Sequence, residues 1–422
     1  MKRLIFFGFI ISLAFSCDTE KNIEPREDSY FLKYYGGEGD QEGVDMVVNS
    51  DSTFLLFGTT RLPAQTTQLY LVKADARGKV IWEKTYGGPY DEEARDIELT
   101  SSGDYVIVAN TKTSNGDKDI MIMTISRDGV KLDSSGYSLN SSTVKLDEVA
   151  NSVTETNDGF IVAGYTNNVN PKPNPVPGAP DLKDALSVRF LNNPLQVYPN
   201  KWVFVSGAQS SDETTKIFEV SPNVFYMFGF TNNTTSLAYD YWYYGIGGGG
   251  ISVGDIKIPY LGNEIATKAI LNPATIGGGV IMGSSINSNG DSSIYMVKLR
   301  SPLKFTLQSG GDIESIQVIS STLSLAGASI CSSQSSGYFI LSDQRSKGGN
   351  SDIALTRVGN NLIQEWTQPT SLVFGGICED KAGAVAELGD GHIMIIGTIR
   401  TGDECESKMA LIKVNKDGKF EK

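Results

Sequence analysis

One apolar strand recurs seven times along the chain, and this recurrence limits the fold more than any other feature. The copies are Phe54 to Gly58, Tyr105 to Ala109, Phe160 to Gly164, Phe225 to Gly229, Gly279 to Gly283, Tyr338 to Ser342 and Ile393 to Gly397. Each ends on a small residue. They repeat at a period of roughly 55 residues, which is the signature of a repeat architecture. The runs are apolar without interruption, so each is expected to be buried on both faces, as a middle strand between stacked sheets is.

Three further strands accompany each copy. A half-polar strand precedes it, as in Ala94 to Thr100 and Ala150 to Thr156. An alternating strand follows, as in Leu69 to Asp75, Ile294 to Leu299 and Met409 to Val414. A last strand closes the unit, clearest at Val80 to Tyr86, with relatives expected at 31–37, 202–207, 256–262, 304–311 and 363–376. Trp82, Trp202 and Trp366 fall in these last segments and read as packing wedges. Turns rich in Gly and Asp separate the strands, as at Ser102-Gly103-Asp104 and Asp128-Gly129.

Four antiparallel strands per unit, seven times over, predict an all-β, seven-bladed β-propeller, in which each sheet packs on its neighbours and closure protects the edges. The chain begins with a fourth-strand copy, Tyr30 to Gly37, and ends just after a third-strand copy, Met409 to Val414. The N-terminal strand is therefore expected to complete the C-terminal blade. The organisation reads as a signal peptide over 1–16, a lipidated Cys and flexible tether over 17–29, and one propeller domain over 30–422.

The second unit reads Tyr86-Gly87-Gly88, then Asp91-Glu92-Glu93-Ala94, then Tyr105 to Ala109 and Asp119. These motifs resemble the propeller repeats common in surface proteins of Bacteroidota. The fourth to sixth units depart most, lacking the paired acids. The resemblance implies a fold and not an activity.

The N-terminus carries a processing signal: basic Lys2 and Arg3, an apolar run from Leu4 to Phe15, then Ser16-Cys17. Ala14-Phe15-Ser16-Cys17 resembles a bacterial lipoprotein cleavage site, with the customary Leu one place early at Leu13. The resemblance implies diacylation of Cys17, with lipid as the anchor. Asp18-Thr19-Glu20 resembles the export signals of surface lipoproteins in Bacteroidota, so the expected location is the outer membrane, on the cell surface. A formal net charge of −13 gives the chain no electrostatic footprint for nucleic acid.

Candidate site residues fall in three groups. Acids recur in the loops entering the first strands: Asp40 and Glu42, Asp91 to Glu93, Asp147 and Glu148, Asp212 and Glu213, Glu264, Asp312 and Glu314, Glu379 and Asp380. In a propeller such loops ring one channel mouth. Asp40, Asp91, Glu92, Asp147 and Asp212 could therefore meet a cation or a basic peptide, or they could cap turn N–H groups once per blade. Tyr241, Trp242, Tyr243 and Tyr244 put rings on both faces of a strand, one set in the core and the other free to stack on a sugar or a protein partner. Cys378 and Cys405 lie in loops expected on one face of one blade, where a disulfide is reasonable in an oxidising compartment.

Other residues read as structural. His392, the single histidine, opens a buried strand, and Cys331 reads as a buried thiol. No cofactor or metal centre is expected. Asn115 to Asp119 and Asn289 to Asp291 could ligate calcium but lack the spacing of a dedicated calcium loop. A Pro-rich insertion over 167–183 has the extended character of a partner-binding segment. The function expected is a non-catalytic binding or scaffold module at the cell envelope, for a protein or glycan partner. The alternative is a carbohydrate-active enzyme, glycosidase or lyase, using channel-mouth carboxylates.

Overall fold

A computed structural model describes residues 30–139, 146–167, 183–199, 203–206, 211–232, 238–247, 249–272, 278–306, 311–345, 349–366 and 371–420. Its strands form seven antiparallel sheets. The innermost strands, in chain order from the first blade to the seventh, are Asp40–Val48, Glu92–Leu99, Glu148–Thr156, Asp212–Ser221, Asn263–Leu271, Ser324–Ser332 and Lys381–Glu387. Each packs against the next, and the seventh packs against the first, so the sheets close into a seven-bladed β-propeller.

The predicted apolar copies are the second strands. In the first blade, Phe54, Leu55, Leu56 and Phe57 are all buried. Alternation decides which neighbour each one meets. Leu55 and Phe57 pack against the second blade, whereas Phe54 and Leu56 pack against the seventh. Seven apolar clusters result, one at each blade interface. Each buried Leu, Ile or Phe contributes roughly 1.5–3 kcal/mol.

The small residue ending each second strand has a local cause. Every innermost strand carries a bulge at the same register, between Gly43 and Asp45 in the first blade and between Ala382 and Ala384 in the seventh. The bulge drives backbone toward the second strand. A Cβ on Gly58 would lie 1.8 Å from the Glu42 carbonyl oxygen.

The N-terminal strand Phe31–Tyr35 pairs with Glu406–Val414, with Phe31 opposite Lys413 and Tyr35 opposite Met409. Side chains stitch the same seam. Asp40 accepts hydrogen bonds from the Ser407 N–H at 3.0 Å and the Ser407 hydroxyl at 2.9 Å. Thr398 Oγ1 accepts from the Gly43 N–H at 3.1 Å.

Several outer strands differ from expectation. In the fifth blade the outer strand is Ile313–Ile319, not 304–311; Glu314 belongs to it and Asp312 immediately precedes it, so neither enters an inner strand. Asp312 accepts the N–H groups of Lys304 and Phe305, both at 2.6 Å, folding that segment back before the strand begins. In the fourth blade the strand starts at Ile251, because Gly249 and Gly250, both with positive φ, turn the chain directly after Gly247. In the sixth it shrinks to Leu372–Phe374, and Trp366 precedes it. The third blade divides its outer position between Gln196–Val197 and Val203–Ser206. Trp202 and the Pro-rich run over 168–182 lie outside the described residues, as do residues 1–29 with Cys17.

Candidate functional site at the mouth of the central channel

Acids stand at the channel mouth in every described blade except the sixth, whose inner strand opens with Ser324. Asp91 accepts the Thr67 N–H at 2.9 Å, and Asp147 accepts the Lys118 N–H at 2.9 Å. Asp40 does the same for Ser407 across the seam, and the Ser407 N–H and hydroxyl hold its carboxyl below the usual range. Ser211, Asn263 and Ser324 take the equivalent place in the fourth, fifth and sixth blades, accepting the N–H groups of Lys183, Tyr239 and Ser292. Each joins the start of an inner strand to the start of the preceding blade's third strand.

The next residue bonds a hydroxyl of its own blade's second strand and, in three blades, an N–H of the segment leading into the inner strand. Glu92 accepts the Gly88 N–H at 3.1 Å and the Thr111 hydroxyl at 2.6 Å. Glu148 accepts the Leu139 N–H and the Thr166 hydroxyl, Glu264 the Gly262 N–H and the Ser285 hydroxyl, and Asp212 the Thr231 hydroxyl. Burial pushes the carboxyls of Glu92, Glu148 and Glu264 up, that of Glu148 to about 7. Replacing Asp91 with Ala is expected to cost about 1–2 kcal/mol, because it strips an acceptor from a part-buried N–H. Calorimetric unfolding measures this, and unchanged stability would contradict the capping role.

The aromatic stretch lies on the third strand of the fourth blade, Tyr239–Gly247, and both of its faces are covered. Tyr241 and Tyr243 pack toward the fifth blade, and Trp242 and Tyr244 toward the third. All four are buried, so neither set is presented to a ligand, contrary to the expected free face. A third strand in a propeller is sandwiched as the second is. The hydroxyls are satisfied internally, Tyr241 donating to the Tyr295 carbonyl at 2.9 Å and Tyr243 to Asp312 at 2.8 Å.

Cys378 and Cys405 are disulfide-bonded, with Cα atoms 6.0 Å apart. Cys331 is a free thiol that burial pushes up to about 12. His392 pairs with Asp390 at 3.0 Å and packs near Tyr30, with ring centroids 5.8 Å apart. Among the described residues, no group of three or more His, Cys, Asp and Glu side chains is placed to hold a metal ion.

The channel also holds charges that sequence reasoning missed. Counted from the bulge, the next residue is Asp45, Asp96, Ser152, Lys216, Lys268, Ser329 or Ala384 in successive blades. The charged members converge. Lys216 donates to Asp96 at 2.7 Å and Glu98 at 2.8 Å, joining the fourth blade to the second. Asp96 also accepts the Val153 N–H at 3.0 Å. Lys268 lies 3.5 Å from Asp45 and 3.6 Å from Asp96. Burial pushes the Asp45 carboxyl up to about 7, and a hydrogen bond joins it to Asp96. Burial also raises Asp96, but the ammoniums of Lys216 and Lys268 outweigh it and hold that carboxyl low.

Above this cluster, all seven inner strands line a cavity of about 370 Å³. Small residues make the room on one side: Ala328, Ala382 and Gly383 from the sixth and seventh blades. Asp45, Glu93, Arg95, Glu213, Lys268 and Lys381 supply charge around it. The cavity sits toward the end of the channel where the inner strands begin. The arrangement is a polar socket with fixed walls, suited to holding a ligand.

No protein-family model and no curated protein sequence matches the chain. Solved structures do resemble it. Sqt1 from Chaetomium thermophilum aligns at 12% identity and a TM-score of 0.46, over 87% of this chain and 83% of that one. A protein of unknown function from Dyadobacter fermentans aligns at 8% identity and a TM-score of 0.46, over 90% and 97%. Another, from Bacteroides caccae, aligns at 10% identity and a TM-score of 0.36, over 81% and 84%. Likeness at this level carries no argument about function. The chain's own sheet topology defines it as a closed seven-bladed β-propeller.

Proposed function

We propose that this protein is a non-catalytic binding module of the cell envelope, anchored by lipid at Cys17 and offering its channel mouth to a protein or glycan partner. The observation that carries the binding role is the state of the mouth carboxylates. Asp40, Asp91, Glu92, Glu148 and Glu264 each accept a backbone N–H or a hydroxyl hydrogen bond from the scaffold. A glycosidase needs two carboxyls facing one bond across open space. These acids instead shape a rim around a socket.

Chain direction supports the orientation. Phe31 pairs with Lys413 at one end of the last blade, and Asp40 binds Ser407 at the other. The chain upstream of Phe31 therefore joins the propeller on the face opposite the mouth. A lipid at Cys17 would leave the mouth turned from the membrane. Cys17→Ser is expected to move the protein from the membrane fraction to the soluble one; unchanged partition would contradict the anchor. Capture with the anchored protein from its own envelope, repeated after glycan digestion, distinguishes a protein partner from a glycan. Recovery of hydrolysed or eliminated glycan products would contradict the non-catalytic reading.

A further inference from the structure

The channel-mouth cavity has an imbalance between its donors and its acceptors. Three carboxylates line it, and each is already bonded. Glu93 accepts from Arg95 at 2.7 Å and Lys118 at 2.8 Å. Glu213 accepts from Lys183 at 2.8 Å and the Asn151 amide at 3.1 Å. Asp45 accepts the Met46 N–H at 2.9 Å and faces Lys268.

Three cations line the same cavity with donors to spare. The Lys381 ammonium lines the cavity and is exposed, and its charge acts at a distance on the Asp343 carboxyl without a side-chain hydrogen bond among the described residues. Lys268 is held only by the longer approaches to Asp45 and Asp96, at 3.5 and 3.6 Å. Arg95 bonds Glu93 through one terminal nitrogen, while its buried Nε has no partner. A buried donor without an acceptor costs about 1–3 kcal/mol, which a ligand oxygen would recover. The three come from the second, seventh and fifth blades and so surround the space rather than flank it.

We infer that this cavity binds a small organic anion, a carboxylate that also bears hydroxyls, through Arg95, Lys268 and Lys381. The Asn151 side chain, which lines the same space, suits the hydroxyls. That chemistry is shared by sugar acids and by hydroxy acids. The inference does not depend on lipidation or on a macromolecular partner, so it can fail while the envelope reading stands.

The test is calorimetric titration of the full-length protein in detergent with D-glucuronate, citrate and uncharged D-glucose. At least one of the two anions is expected to bind about tenfold or more tighter than glucose, the worth of one charge-assisted hydrogen bond. Tighter binding of glucuronate assigns the site to sugar acids, and tighter binding of citrate assigns it to hydroxy acids. Lys381→Ala, an exposed change that breaks no side-chain hydrogen bond among the described residues, is expected to weaken that binding about tenfold. Lys268→Met should weaken it similarly, whereas Lys112→Ala, on a second strand outside the channel, should leave it unchanged. Failure of both anions to exceed glucose, or full affinity in Lys381→Ala, would overturn the inference.

Discussion

Deleting residues 18–37 is expected to lower the melting temperature by roughly 5–10 °C, while deleting 18–27 leaves it unchanged. The longer deletion removes Phe31–Tyr35, the outer strand of the seventh blade. Two side chains of that strand are buried in the cluster between the last blade and the first, Phe31 at 7% exposure and Tyr35 at 4%. Losing both costs roughly 3–6 kcal/mol of apolar burial. The Tyr35 hydroxyl also donates to the Gly78 carbonyl at 2.8 Å, tying this strand to a turn of the first blade. Without the strand, Glu406–Val414 becomes a bare edge whose unpaired N–H and C=O groups invite association with other chains. The deletion should therefore raise light scattering on heating as well as lower the midpoint. The two ends of the ladder are nearly the whole chain apart, so its loop closure is also slow to form. Equal melting temperatures for the two truncations would mean that the ring is held by something other than this seam.

Asp96→Ala is expected to destabilise the protein by about 3–5 kcal/mol, the cost of breaking a buried ion pair. The substitution leaves the Lys216 ammonium, 8% exposed, with Glu98 as its remaining carboxylate. It also orphans the Val153 N–H and removes one of the two acids facing Lys268. The other partner makes the cluster respond to pH. Asp45 is raised above its unfolded value to about 7, so its contribution is present below about pH 4 and lost as pH rises through 7. Asp96 is lowered, so its contribution is present above its ordinary titration range and lost as pH falls below it. Stability from the pair is therefore greatest near pH 4 and declines as pH rises from about 4 to 7. Asp45→Asn cannot ionise and should flatten the decline toward pH 8. Denaturant unfolding from pH 4 to 8 reads this decline, and an unchanged profile in Asp45→Asn would contradict the raised Asp45 carboxyl.

The seven second strands were legible because burial on both faces writes a continuous apolar run, as in Phe54 to Phe57. Closure was legible too, from one orphan strand of complementary type at each end. Outer strands were harder. Val80–Tyr86 buries none of its side chains fully, so its sequence carries little pattern, and the shorter Leu372–Phe374 carries less. The aromatic run at Tyr241 to Tyr244 misled for a related reason. Rings on both faces read as one buried set and one free set, but a third strand lies between two blades.

The channel charges were hidden by distance along the chain. Asp45, Asp96, Lys216 and Lys268 sit on half-polar strands that look solvated when each is read alone. A signal was present. Aligning the repeats on their small residues places these four at one register position, facing a common axis, and opposite charges at such a position must meet.

Amide hydrogen exchange over residues 31–35 tests the closed propeller most directly. Pairing with Met409–Lys413 predicts protection of this peptide comparable to that of Glu406–Val414, lost together with it under denaturant. Exchange of residues 31–35 at the rate of an unstructured tether, with 406–414 still protected, would contradict the closed ring.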